Sequence, residues 1–180
     1  MKTQATDSLP NNLGSVTDLL NYFTSVRAKT LDLCSPLETE DFGVQPMADA
    51  SPPKWHLAHT TWFFEAFLLK VYKENFQPFH ETFGYLFNSY YIRVGHPFPR
   101  SDRGNLSRPT VKEVMQYRTE TESKVIDLIK DLERFDQKAQ QEILSVLRVG
   151  IEHEQQHQEL LITDLKYNLS LIHISEPTRL

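Results

Sequence analysis

The 180-residue sequence holds one cysteine, Cys34, which excludes an intramolecular disulfide and fits a reducing, cytoplasmic setting. Cys34 closes an amphipathic stretch, where a small buried thiol is the ordinary reading. No apolar run approaches the roughly 20 residues of a membrane-spanning helix. The N-terminal MKTQATDSLPNNLGS has no apolar segment of the kind a signal peptide needs, and residues 1–14 are expected to be a flexible N-terminus. Charge of one sign is not blocked together: 19 basic and 24 acidic residues are mixed, with a net charge of −5. Neither a nucleic-acid partner nor a membrane surface is expected from that balance. Sustained period-two alternation and internal repeats are also missing, which argues against a sheet.

What is present is helical periodicity. A first helix is expected from about Ser15 to Leu33, with Val16, Leu19, Leu20, Phe23 and Val26 at helical spacing. Ser51-Pro52-Pro53 reads as a cap followed by first-turn prolines, opening a second helix through WHLAHTTWFFEAFLLKVY. Thr110 and Glu113 form a capping-box pattern for a third, which carries apolar marks from Val114 to Phe135. Asp136 caps a fourth, expected to run to about Asn168. Four long helices in one domain predict an all-α four-helix bundle over residues 15–169.

Between the second and third helices stand about 35 residues, Asn75 to Pro109, too many for a plain bundle connection. Phe76, Phe79, Phe83, Tyr85, Phe87, Tyr90, Tyr91 and Phe98 would be costly to leave in water. The stretch also bears Arg93, Arg100, Arg103 and Arg108, so it is a candidate wall for a binding site. After LLITDLKYNLS the pattern breaks into LIHISEPTRL, which extends neither helical face. Residues 170–180 read as a non-native tail, and the natural protein is expected to continue beyond residue 169.

The fourth helix contains His153-Glu154-Gln155-Gln156-His157. Histidines at i and i+4 share a face, and both imidazoles can reach one metal. Val146, Gly150, Leu160 and Leu161 on the same face predict that it points inward. The alternative is a pair of histidines hydrogen-bonded within the core. The same residues match HExxH, but Leu160 and Thr163 stand where an extended zinc-protease motif needs Gly and His. A third imidazole would come from the second helix, which supplies His56 and His59 one turn apart. His59 shares an apolar stripe with Trp62, Phe63 and Ala66, while His56 is expected nearer the helix mouth. Glu152, Glu154 or Glu159 are candidates to fix the imidazole tautomers.

SPPKWHLAHTTWFFE, SDRGNLSRPT and GIEHEQQHQELLITDLKY, in that order, resemble blocks of the ergothioneine-biosynthesis sulfoxide synthases. The resemblance covers about residues 15–169 and implies a DinB-like four-helix bundle. By motif position it implies Fe(2+) held by His59, His153 and His157. It further implies that Arg100 and Arg103 clamp the carboxylates of the thiol substrate and that Gln156 helps hold the betaine. The implied substrates are hercynine, cysteine or γ-glutamylcysteine, and O2, joined through a C–S bond and sulfoxide. In the family a second domain, resembling the formylglycine-generating fold, supplies the catalytic tyrosine. No catalytic residue is therefore assigned here, and the domain alone is expected to bind metal without turnover. Three further readings stand beside this one: an ovothiol-type synthase acting on histidine, a DinB-like zinc or nickel thiol transferase, and a bundle with structural histidines.

Overall fold

Ser15, in extended conformation, accepts a hydrogen bond from the backbone of Asp18 and starts helix α1 (Val16–Cys34). The computed structural model describes residues 15–89, 91 and 95–173, and among them there is no strand. Helix α2 (Pro53–Phe64) opens with Pro53 in its first turn, where a missing N–H costs nothing. Its N-cap is Pro52, so Ser51 does not cap the helix as expected. The Ser51 hydroxyl is used elsewhere, accepting from Arg103 at 2.9 Å. A π-helical turn, Glu65–Leu69, carries α2 into α3 (Lys70–Tyr72) as one rod. A short α4 (Phe83–Leu86) and a 3-10 turn (Arg100–Asn105) interrupt the long connection.

Helix α5 (Val111–Lys130) begins with the reciprocal Thr110–Glu113 capping box that the sequence announces. It stops at Lys130 rather than Phe135, because a 3-10 turn at Leu132–Arg134 redirects the chain. The Asp136 carboxylate accepts from Ala139 N–H at 2.8 Å and starts α6 (Gln137–His173). This helix passes the expected end at Asn168, since no proline or glycine intervenes before Pro177. Residues 1–14, expected to be a flexible N-terminus, and residues 174–180 of the expected tail lie outside the described residues.

The bundle forms around α2, which packs on α5 and α6, while α1 packs on the same two helices. Every residue from Pro53 to Glu65 is buried, so α2 has no solvent-facing side and is the central rod. Two apolar layers fill the interior. One contains Phe23, Phe64, Leu68, Ile129, Ile143 and Leu147; the other contains Trp55, Trp62, Phe63, Phe83, Phe87, Tyr117 and Leu161. Each fully buried Leu or Phe side chain contributes about 1.5–3 kcal/mol. The long connection supplies Phe83 and Phe87 to the second layer, with Phe79 and Tyr91 packed against it. Tyr90 and Arg93 lie outside the described residues.

Where each helix passes from one apolar layer to the other, a buried polar layer intervenes. Glu154 on α6 is fully buried and accepts from Arg27 of α1 at 2.8 Å, Arg118 of α5 at 2.9 Å and Thr30 at 2.7 Å. Thr60 and Thr61 of α2 take hydrogen bonds from Arg118 and Arg27, both at 3.2 Å. Half-buried Glu122 lies 3.5 Å from Arg27, so two cations meet two anions. The two guanidinium groups hold the Glu154 carboxyl down to about 2, against the opposing effect of burial. Such a cluster fixes the rotation of α1, α5 and α6 about α2, and therefore which face of each helix meets the site.

Candidate metal centre

His59 is held on α2 by its own helix neighbours, stacked on Trp55 at 4.5 Å and on Trp62 at 5.6 Å between ring centroids. Its Nδ1 lies 2.6 Å from the carbonyl of Phe87, which can only accept, so that nitrogen carries the proton. His153 and His157, one turn apart on α6, face it with ring centroids 5.0 and 4.7 Å away. One nitrogen from each of these three imidazoles lies within 4.8 Å of the others, a group that could hold a metal ion.

The protonation of the group suits a ligand set. Burial depresses His59 well below the ordinary imidazole range, helped by neighbouring His153. Desolvation brings His153 to about 4. His157 is lowered as well, by burial first and then by His59. All three are neutral near pH 7, with lone pairs available for coordination. The buried Nδ1 of His153 has no hydrogen-bond partner among the described residues. An unpaired buried imidazole nitrogen is costly in a purely structural histidine.

His56 is not one of the three. It is 2% exposed, deeper than the helix-mouth position expected for it, and its ring bridges two groups. His56 Nδ1 is 2.9 Å from His157 Nδ1, and His56 Nε2 is 2.9 Å from the carboxylate of Asp164. Asp164 was not singled out in the sequence. It stands seven residues beyond His157, two turns along the same face of α6, and that spacing was the available signal. Glu154 is committed to its arginines, and Glu152 and Glu159 are exposed, so none of the three is found on an imidazole.

A cavity of about 450 Å³ opens over the three histidines. Arg100, Arg103 and Gln156 all border it, so the structure gathers every sequence-predicted site residue around one space. Their placements differ. Arg103 is buried, its guanidinium 3.3 Å from the Trp55 ring centroid and hydrogen-bonded to Ser51. Arg100 is exposed and donates to the carbonyl of Asp49, while Gln156 is exposed on α6. Leu160 borders the cavity with 41% of its surface exposed, so this one position of the face expected to point inward opens to solvent, while Leu161 beside it is fully buried. Trp55, Ser89 and Tyr91 also line the cavity: Ser89 and Tyr91 come from the connection expected to wall a binding site, whereas Trp55, one turn before His59 at i−4, was not predicted as a site residue.

No helix among the described residues is long and apolar enough to cross a membrane. No curated protein matches the chain. Residues 22–161 match the DinB superfamily, a span that takes in most of α1, the whole of α2, the aromatic connection and the HEQQH turn of α6. The three-histidine group and most of the helical bundle fall inside the matched region, and this chain belongs to the DinB superfamily.

Proposed function

We propose that this bundle is the iron(II)-binding domain of an oxygenase that joins a cysteinyl thiol to the imidazole ring of hercynine as a sulfoxide. The observation that carries the reading is a neutral three-histidine group at the base of a cavity whose wall holds Arg103 and whose rim holds Arg100 and Gln156. The overall change balances as thiol plus imidazole C–H plus O2 giving the aryl sulfoxide and water.

Ferrous iron bound by three imidazoles would supply open positions for O2 and substrate atoms. The chain's own residues would do the remaining work. His59, His153 and His157 offer nitrogen donors that need not lose a proton near pH 7. Arg103, fixed by stacking on Trp55, would meet a substrate carboxylate through its planar fork. Because Trp55 also stacks on His59, the anion clamp and the metal ligand share one rigid side chain. The distance between them would set where a thiol carried on an amino acid can reach. Gln156, beside His157 on the cavity rim, would contact the acceptor.

Anaerobic titration of Fe(2+) into the protein tests this reading, with nitric oxide as a spectroscopic probe of the bound ion. One equivalent should bind, His59→Ala should abolish it, and hercynine should alter the iron–nitrosyl spectrum. Preference for zinc with no response to hercynine would point instead to a thiol transferase. A change produced by histidine and not by hercynine would favour the ovothiol-type reading.

A further inference from the structure

We propose that Asp164 and His56 form an outer relay that fixes the tautomer and orientation of His157, presenting its Nε2 to the metal. The inference rests on the metal reading of His59, His153 and His157 and adds two positioning residues to it. The assignment follows from the donors and acceptors around a neutral His56. Asp164 Oδ2 already accepts the backbone N–H of Ser51 at 2.8 Å. It is therefore the acceptor toward His56 as well, and His56 carries its proton on Nε2, 2.9 Å away. The other nitrogen of a neutral His56, Nδ1, is then a bare lone pair. At 2.9 Å it faces His157 Nδ1, and two bare nitrogens would not sit at that distance, so His157 must donate. The proton on Nδ1 leaves His157 Nε2 bare.

The His59 side reaches the same end by a different route, with Nδ1–H donated to the Phe87 carbonyl and Nε2 left bare. Two of the three imidazoles thus have their tautomer dictated by the protein, one by a loop carbonyl and one by a carboxylate acting through a second histidine. Outer partners of this kind orient a ligand and raise its basicity. Both relay residues are shielded, at 2% and 8% exposure, which keeps water from competing for the bonds. Ser51 links the relay to the cavity wall, because its hydroxyl accepts from Arg103 while its N–H donates to Asp164.

Long-range proton–nitrogen correlation spectra of the metal-free protein test the tautomers directly. The proton should reside on Nε2 of His56 and on Nδ1 of His157. Ferrous iron, and zinc as a diamagnetic probe, are then titrated into the protein and into His56→Phe, Asp164→Asn, the double variant and His59→Ala. Affinity should fall about 10–100-fold in each relay variant with one site retained. The double variant should be no weaker than the weaker single variant, because the two residues act in series. A proton on Nε2 of His157 would overturn the relay, as would folded single variants that bind within about threefold of the unaltered protein. If a variant fails to fold, the spectra of the unaltered protein still decide. Failure of the metal reading looks different: no metal would bind to the unaltered protein, and the positioning role would fall while the tautomer pattern stood.

Discussion

Gly150 lies against Phe64 so closely that a Cβ at residue 150 would fall 2.3 Å from the phenyl ring. Glycine inside a helix costs about 1 kcal/mol relative to alanine, so its place one turn before His153 answers a packing need. It lets α6 approach α2, and that approach brings His153 and His157 to His59. Gly150→Ala should destabilise the protein by about 1–3 kcal/mol despite the better helix former, because the core must give way. Urea denaturation measures this, and Phe64→Leu in the same background should recover part of the loss. Stability at or above that of the unaltered protein would show that the ring yields and that close approach is not what the glycine secures.

Glu154 neutralises Arg27 and Arg118 from the middle of the polar layer. Replacing it with Gln leaves two buried guanidinium groups facing a neutral amide, and breaking such a network costs about 3–5 kcal/mol. The loss should appear in denaturant unfolding. Arg118→Met added to Glu154→Gln should restore some of it by removing one stranded charge. A Glu154→Gln protein as stable as the original would mean that solvent or Glu122 already balances the arginines.

The helices were legible because their ends are chemical: Ser15, the Thr110–Glu113 pair and Asp136 all cap where their side chains can bond backbone N–H groups. The HEQQH face and its approach to His59 were legible for the same reason, since i, i+4 spacing fixes which imidazoles converge. The polar layer was not. Arg27 and Arg118 look like surface residues in sequence, and only the pairing of three helices around Glu154 makes their burial affordable. The relay was hidden too, because one-turn spacing cannot decide which of His56 and His59 joins the histidine group and which sits behind it. That choice is made by Asp164 and Phe87, which meet α2 from elsewhere in the chain.

Cys34 is 4% exposed, and burial pushes its thiol from 9.0 up to about 11. The folded state therefore prefers the protonated thiol more strongly than the unfolded chain does. Its contribution to stability is fully present below about pH 9 and is lost as pH rises through about 11. The urea midpoint should fall over that interval more steeply in the unaltered protein than in Cys34→Ala. A disulfide reagent at pH 8 should label Cys34 only after denaturant is added. Rapid labelling of the folded protein would place the thiol at the surface.

Arg103 and Arg100 both border the cavity, but the structure gives them different weight. Arg103 is buried on Trp55, which fixes the guanidinium of the proposed clamp; Arg100 is exposed, and its guanidinium reaches the Asp49 carbonyl. A lysine at position 103 would keep the charge and lose both the stacking and the fork. Charge-assisted hydrogen bonds are worth about 1.5–3 kcal/mol, so Arg103→Lys should weaken binding of cysteine or γ-glutamylcysteine to the iron-loaded protein by roughly 10–100-fold. Arg100→Lys should cost less, because an exposed group gains less from its charge. Iron affinity should stay unchanged in both, which separates loss of the clamp from damage to the metal centre. Equal effects from the two substitutions would remove the distinction drawn from burial, and no effect from either would leave the carboxylate to be held by other groups.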